Sequence, residues 1–111
     1  MQITTSQEQE FYVLAIEGDL DASSSIQLDT AIAEAKEKGE KKIIVDCTEL
    51  QYISSAGLGV FMSYIQDFQA EGINMVLCHM SEKVKQVFSI LGLDELIRIV
   101  TTKEEAKSLL A

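Results

Sequence analysis

The chain has 111 residues, nearly half of them hydrophobic, no proline, and a net charge of −9 from 18 acidic and 9 basic side chains. That length and composition fit one compact domain with its own core and exclude a disordered or fibrous chain. The acidic balance argues against nucleic acid and anionic membrane surfaces as partners, because both are held by clustered Lys and Arg.

The first residues, MQITTSQEQE, lack the basic-then-apolar pattern of a secretory signal, and no apolar stretch approaches the roughly 20 residues needed to span a bilayer. A cytoplasmic location is expected. A weak first strand is predicted at 2–6. The continuous run FYVLAI at 11–16 reads as a buried strand, and a hairpin around SQEQE joins the two. GDLDASSS then supplies turn chemistry, with a helix cap expected among its serines. Leu28, Ala31, Ile32 and Ala35 follow at helical spacing, and Gly39 closes that helix. The acidic and basic residues at its end read as a solvated surface with a Glu34–Lys38 pair at i,i+4.

KKIIVDC at 41–47 is the second buried strand, and TELQYI reads as a connector. Leu58, Phe61, Met62, Ile65 and Phe68 then form one helical stripe ending at Gly72. NMVLC at 74–78 is a third strand. Ser81 caps a helix carrying Val84, Val87, Phe88 and Leu91, and Gly92 lies past its end. LIRIV at 96–100 is a fourth strand. Thr102 and Glu105 have capping-box spacing ahead of Ala106, Leu109 and Leu110. The order predicts a single α/β domain over 1–111, with a mixed, mainly parallel sheet of four to five strands and about four helices.

Cys47 and Cys78 each end an apolar run and match no zinc spacing, so they are expected to be reduced and buried at the edge of the core. His79 has no clustered partners and reads as a loop residue. No metal or cofactor is expected.

The most informative stretch is YISSAGLGVFMS at 52–63. Ser54 and Ser55 sit at a helix start, where up to four backbone N–H groups lack internal partners. One serine accounts for a cap; the second is not required by it. Gly57 and Gly59 follow in the first turns, where glycine costs up to about 1 kcal/mol relative to alanine. Here they are expected to leave backbone uncovered for another surface to approach. A helix start also favours an added phosphate. A nucleotide loop is disfavoured, since SSAGLG lacks a Walker lysine, and no hydrolase constellation accompanies the serines. A plain cap and a recognition or modification site both remain open on these grounds.

DCTELQYISSAGLGVF resembles the central motif of the bacterial anti-sigma factor antagonists, small single-domain STAS proteins, and GDLDASSS resembles their Gly-acidic-Leu-Asp segment. The resemblance covers essentially the whole chain. It implies a non-enzymatic partner switch. The unphosphorylated protein binds an anti-sigma factor serine kinase and frees the sigma factor. Phosphorylation on one serine releases it, and a metal-dependent serine phosphatase restores it. The modified serine of the family lies two residues before the Gly of the GLG run, which selects Ser55. Many members carry Asp just before it, where this chain has Ser54, a second candidate hydroxyl. The resemblance also places Asp21, Ser24, Ser54, Gly57 and Gly59 with Ser55 on the partner-binding surface. The alternative is a STAS scaffold or small-ligand module in a signalling assembly that does not act on a sigma factor.

Overall fold

The computed structural model describes residues 1–111. Its elements run β1 (Gln2–Glu8), β2 (Phe11–Leu20), α1 (Ser25–Glu37), β3 (Lys42–Ile53), α2 (Ser55–Glu71), β4 (Asn74–Cys78), α3 (Glu82–Ile90), a 3-10 turn at Leu93–Glu95, β5 (Arg98–Val100) and α4 (Lys103–Leu110). The five strands lie side by side in chain order. β1 and β2 are antiparallel, and every later pair is parallel. The expected hairpin is present, with Gln9 turning it at φ 61.

Two clusters hold the sheet. The larger lies on the face covered by α1, α2 and α3 and includes Leu14, Ile32, Ile43, Phe61, Leu77 and Phe88. The smaller lies under α4 and joins Phe11, Val13, Ile44, Val76, Ala106 and Leu110. β3 feeds both faces because Ile43 and Val45 point one way and Ile44 the other. Burying a side chain such as Phe61 or Phe88 contributes about 1.5–3 kcal/mol. α2 ends where Gly72 takes the left-handed conformation at φ 70, and the Gly72 and Ile73 N–H groups return to Gln69 and Phe68 carbonyls. No helix is long and apolar enough to cross a membrane.

Several expectations need correction. GDL continues β2 instead of turning, and TELQYI continues β3 instead of connecting. The register shows why. Ala15 pairs with Asp46 but Glu17 with Glu49, and Gly18 pairs with Leu50 but Asp19 with Tyr52. β3 therefore carries one extra residue at each of two bulges. Cys47, Leu50 and Ile53, three apart in sequence, still face one core. β5 is shorter than expected, because Leu96 and Ile97 belong to the approach from the 3-10 turn. Leu91 is 58 % exposed and Leu109 46 %, so each leaves the apolar stripe at its helix end. Glu34 and Lys38 do not pair. Lys38 lies over the Tyr12 ring, 5.3 Å from its centroid, and Lys36 bridges to Glu71 at 3.0 Å.

The remaining caps follow the sequence. Ser81 accepts from the Val84 N–H and Thr102 from the Glu105 N–H. His79 is a loop residue at φ 58 whose Nε2 accepts from the Lys103 N–H, helping to start α4. Glu8 receives Lys103 at 3.1 Å and Lys107 at 2.9 Å, fastening the hairpin to α4. Those two ammonium groups, Lys107 first, hold the Glu8 carboxyl below its ordinary range.

Candidate functional site

The parallel pairing of β2 and β3 brings two serine-bearing loops to the same end of the sheet. Leu20 pairs with Ile53, and the Ser54 N–H donates to the Leu20 carbonyl at 2.9 Å. The Asp21–Ser24 loop thus leaves β2 beside the start of α2.

In the first loop the carboxylate does the capping. Asp21 Oδ1 accepts from the Ser23 and Ser24 N–H groups, both at 3.0 Å, and from the Ser23 hydroxyl at 2.7 Å. These bonds are the N-cap geometry, supplied by Asp21 where a serine was expected. Ser24, at the cap position of α1, makes no side-chain cap bond. Its hydroxyl donates to the Asp19 carbonyl at 2.9 Å and accepts from the Asp21 N–H at 2.9 Å. With 7 % of its surface exposed, Ser24 faces inward and shapes the loop; it does not present a hydroxyl to a partner. The hydrogen bond from Ser23, followed by those from Ser24, holds the Asp21 carboxyl below the usual range.

The second loop divides its serines differently. Ser54 has extended backbone, φ −93 and ψ 172, and its Oγ accepts from the Gly57 N–H at 3.3 Å. The side-chain cap is therefore supplied by Ser54, without Ser55. Ser55 is the first residue of α2; it is exposed, and its hydroxyl has no partner within the chain. Gly59, four residues on and so on the same helix face, is open, with nothing within 4 Å of a Cβ built there.

Gly57 differs from its expectation. It is buried, and a Cβ would stand 2.7 Å from Leu20 Cγ and 3.1 Å from Ile53 Cγ1. The missing side chain serves close packing of α2 onto the ends of β2 and β3, not the approach of another molecule. Of the residues expected at a partner surface, Ser55, Gly59 and the outer edge of Asp21 are reachable, Ser54 is partly so, and Ser24 and Gly57 lie beneath them.

Two apolar side chains complete this end. Ile26, in the first turn of α1, is 70 % exposed, and Tyr52, paired with Asp19 on the strand ends, is 48 % exposed. Sequence reasoning passed over Ile26. Its signal was that it falls off the Leu28, Ile32, Ala35 stripe that α1 buries. Tyr64, by contrast, is structural. Its hydroxyl donates to Asp29 Oδ1 at 2.8 Å, tying α2 to α1, and burial followed by that bond pushes its pKa up to about 12.

Both cysteines are free and buried. Burial pushes both thiols up, Cys78 to about 12, which leaves neither as a thiolate. The arrangement offers a free hydroxyl on a helix start, flanked by carboxylates and two exposed apolar groups.

A sequence profile described as the STAS domain matches residues 2–106. The chain is 27 % identical over 106 residues to BtrV of Bordetella bronchiseptica, named as a candidate anti-sigma factor antagonist, covering 96 % of this chain and 91 % of that one. A crystal structure of an anti-sigma factor antagonist from Mycobacterium paratuberculosis superposes with a TM-score of 0.89 at 15 % identity, over 98 % of this chain and 92 % of that one. The phosphorylated form of SpoIIAA, the Bacillus cell fate determinant, superposes with a TM-score of 0.73 at 23 % identity, over 99 % of this chain and all of the other. At these identities the superpositions establish the fold.

Proposed function

Because the chain belongs to the STAS domain family, we propose that it is an anti-sigma factor antagonist that acts by switching partners and performs no catalysis of its own. Unphosphorylated, it docks on an anti-sigma factor serine kinase. The kinase transfers a phosphoryl group from ATP to Ser55 Oγ, the antagonist leaves, and a metal-dependent serine phosphatase hydrolyses the phosphoester to reset it. The relatives' names support the output, and a structural neighbour exists in a phosphorylated form.

The observation that carries the reading is the division of labour between the two serines. Ser54 holds the cap, so Ser55 can be modified without a cost to the helix. A phosphoserine brings a charge of about −1.5 to −2. In the free domain the N-terminal dipole of α2 stabilises it by roughly 0.3–1 kcal/mol. Pressed into an interface without a cationic partner, the same charge costs several kcal/mol, and Asp19 at the end of β2 and Asp21 on the loop after it add to the repulsion. A loss of about 4 kcal/mol weakens binding nearly a thousandfold. The modification therefore separates two proteins while leaving each folded. Ile26 and Tyr52 supply the apolar contact that the unmodified surface offers.

The test compares three proteins against the kinase that copurifies with the wild type. Ser55→Ala takes up no label from γ-labelled ATP and keeps binding. Ser55→Asp loses binding by about a thousandfold with an unchanged circular dichroism spectrum. Label entering Ser55→Ala, or retained binding by Ser55→Asp, refutes the assignment.

A further inference from the structure

At the opposite end of the sheet, the length of β3 away from Ser55, lies a cavity of about 290 Å³. It opens between α2, the first residues of β4 and β5, and α4. Nine of its twelve lining residues are hydrophobic. Its size is at the low end of small-molecule pockets, which run roughly 300–1,000 Å³. Leu96 and Leu109, 56 % and 46 % exposed, both stand on its wall, so these exposed leucines converge on one site. Phe68 and Ile73 form part of its wall near the core, and Gln69 and Asn74 are its polar side groups.

The remaining lining residue of note is Arg98, the single arginine of the chain. Acidic residues outnumber basic ones 18 to 9, and Lys36, Lys42, Lys103 and Lys107 find carboxylates, while Lys38 and Lys41 reach the Tyr12 hydroxyl and the Glu71 carbonyl and Lys83 and Lys85 stand exposed on α3. Arg98 finds no carboxylate, and its guanidinium makes no hydrogen bond within the chain, although it is the cation best shaped for a carboxylate. Its place on β5 is opposite Val76 in the sheet, and its exposed side chain lines the cavity. We infer that this cavity binds an amphiphilic carboxylate, with an unbranched acyl chain of medium length in the hollow and its carboxylate on Arg98. The small volume excludes a bulky polar cofactor. The net charge of −9 opposes docking on an anionic bilayer, so the ligand is a free carboxylate and not a headgroup in a membrane. The site is independent of the serine switch and stands or falls separately from it.

Calorimetric titration of the whole protein with sodium decanoate tests the inference, with decanol and phosphatidylglycerol vesicles as the comparison ligands. Saturable decanoate binding is expected, weakened about tenfold or more by Arg98→Gln and about as much by exchanging decanoate for decanol. Amide chemical shifts of the wild type give a second reading that needs no variant. Decanoate is expected to move Leu96, Arg98 and Leu109 while leaving Ser55 in place. Absence of saturable binding overturns the inference, as does equal affinity of Arg98→Gln or of decanol. Shifts confined to another region, or binding seen with vesicles alone, overturn it as well. So does a dimer that Leu109→Glu dissociates and decanoate does not, since a second copy would then own the groove.

Discussion

The loops after β2 and after β3 are built from much the same residues and put them to opposite uses. In the first, Ser23, Ser24 and Ser25 all donate inward, to Asp21 Oδ1, to the Asp19 carbonyl and to the Ala22 carbonyl. In the second, one serine caps and the other is left over. Serine content therefore says little about which hydroxyl an enzyme can reach. The accounting of hydrogen bonds does, because a hydroxyl already committed to its own loop must break that bond before it can be modified.

The contrast can be attacked at four points beyond Ser55 itself. The largest effect on stability is expected for Gly57→Ala, whose new methyl group meets Leu20 and Ile53 well inside van der Waals contact. It should lower unfolding free energy by about 1–3 kcal/mol in urea titration, in line with overpacked cores. The same change at Gly59, where space is open, should leave stability equal or higher. Ser54→Ala should cost about 1 kcal/mol, the usual loss of a cap, while Ser55 still accepts phosphate. Mass spectrometry of the labelled protein checks that second half. A loss of labelling with the fold intact would show that the two serines are not separable.

The smallest effect concerns acid. The folded Asp21 carboxyl lies below its unfolded value, which is near 3.9. Its contribution is thus fully present above that value and is lost as pH falls through the lower folded one. Asp21→Asn keeps an oxygen for the Ser23 and Ser24 N–H groups but removes the titration. The variant should show a shallower loss of stability below about pH 4 than the wild type, measured by thermal unfolding across pH. Parallel curves would show that Asp21 titrates alike in both states.

The alternation of strands and helices, the caps at Ser81 and Thr102, and a cap somewhere in the Ser54–Ser55 pair could be read from the sequence because they depend on neighbours a few residues apart. The end of β3 could not. Its bulges stretch the inward spacing from two to three residues, and Cys47, Leu50 and Ile53 then look like no strand at all. The bulges exist only relative to β2, thirty residues earlier, so no local window records them. Gly57 hid for a related reason. A glycine near a helix start reads as openness until Leu20, from another strand, is placed above it. The pairing of the two serines was visible, but which one caps was decided by the extended backbone of Ser54. The cavity around Arg98 left no motif, since its walls come from four separate elements.

The five strands stand in the order in which they are synthesised. A chain leaving the ribosome can therefore lay each one against a neighbour already in place, and no strand has to be inserted between two others. Loop closure is shortest at the local hairpin, so the topology favours growth from there in one direction across the sheet. Only the last helix reaches back, when Lys103 and Lys107 close on Glu8. That clasp, 95 residues from its partner in sequence at Lys103, makes the finished domain detectable as a late event. A nascent chain still lacking it exposes Phe11 and Val13, and is the species a chaperone or protease would meet.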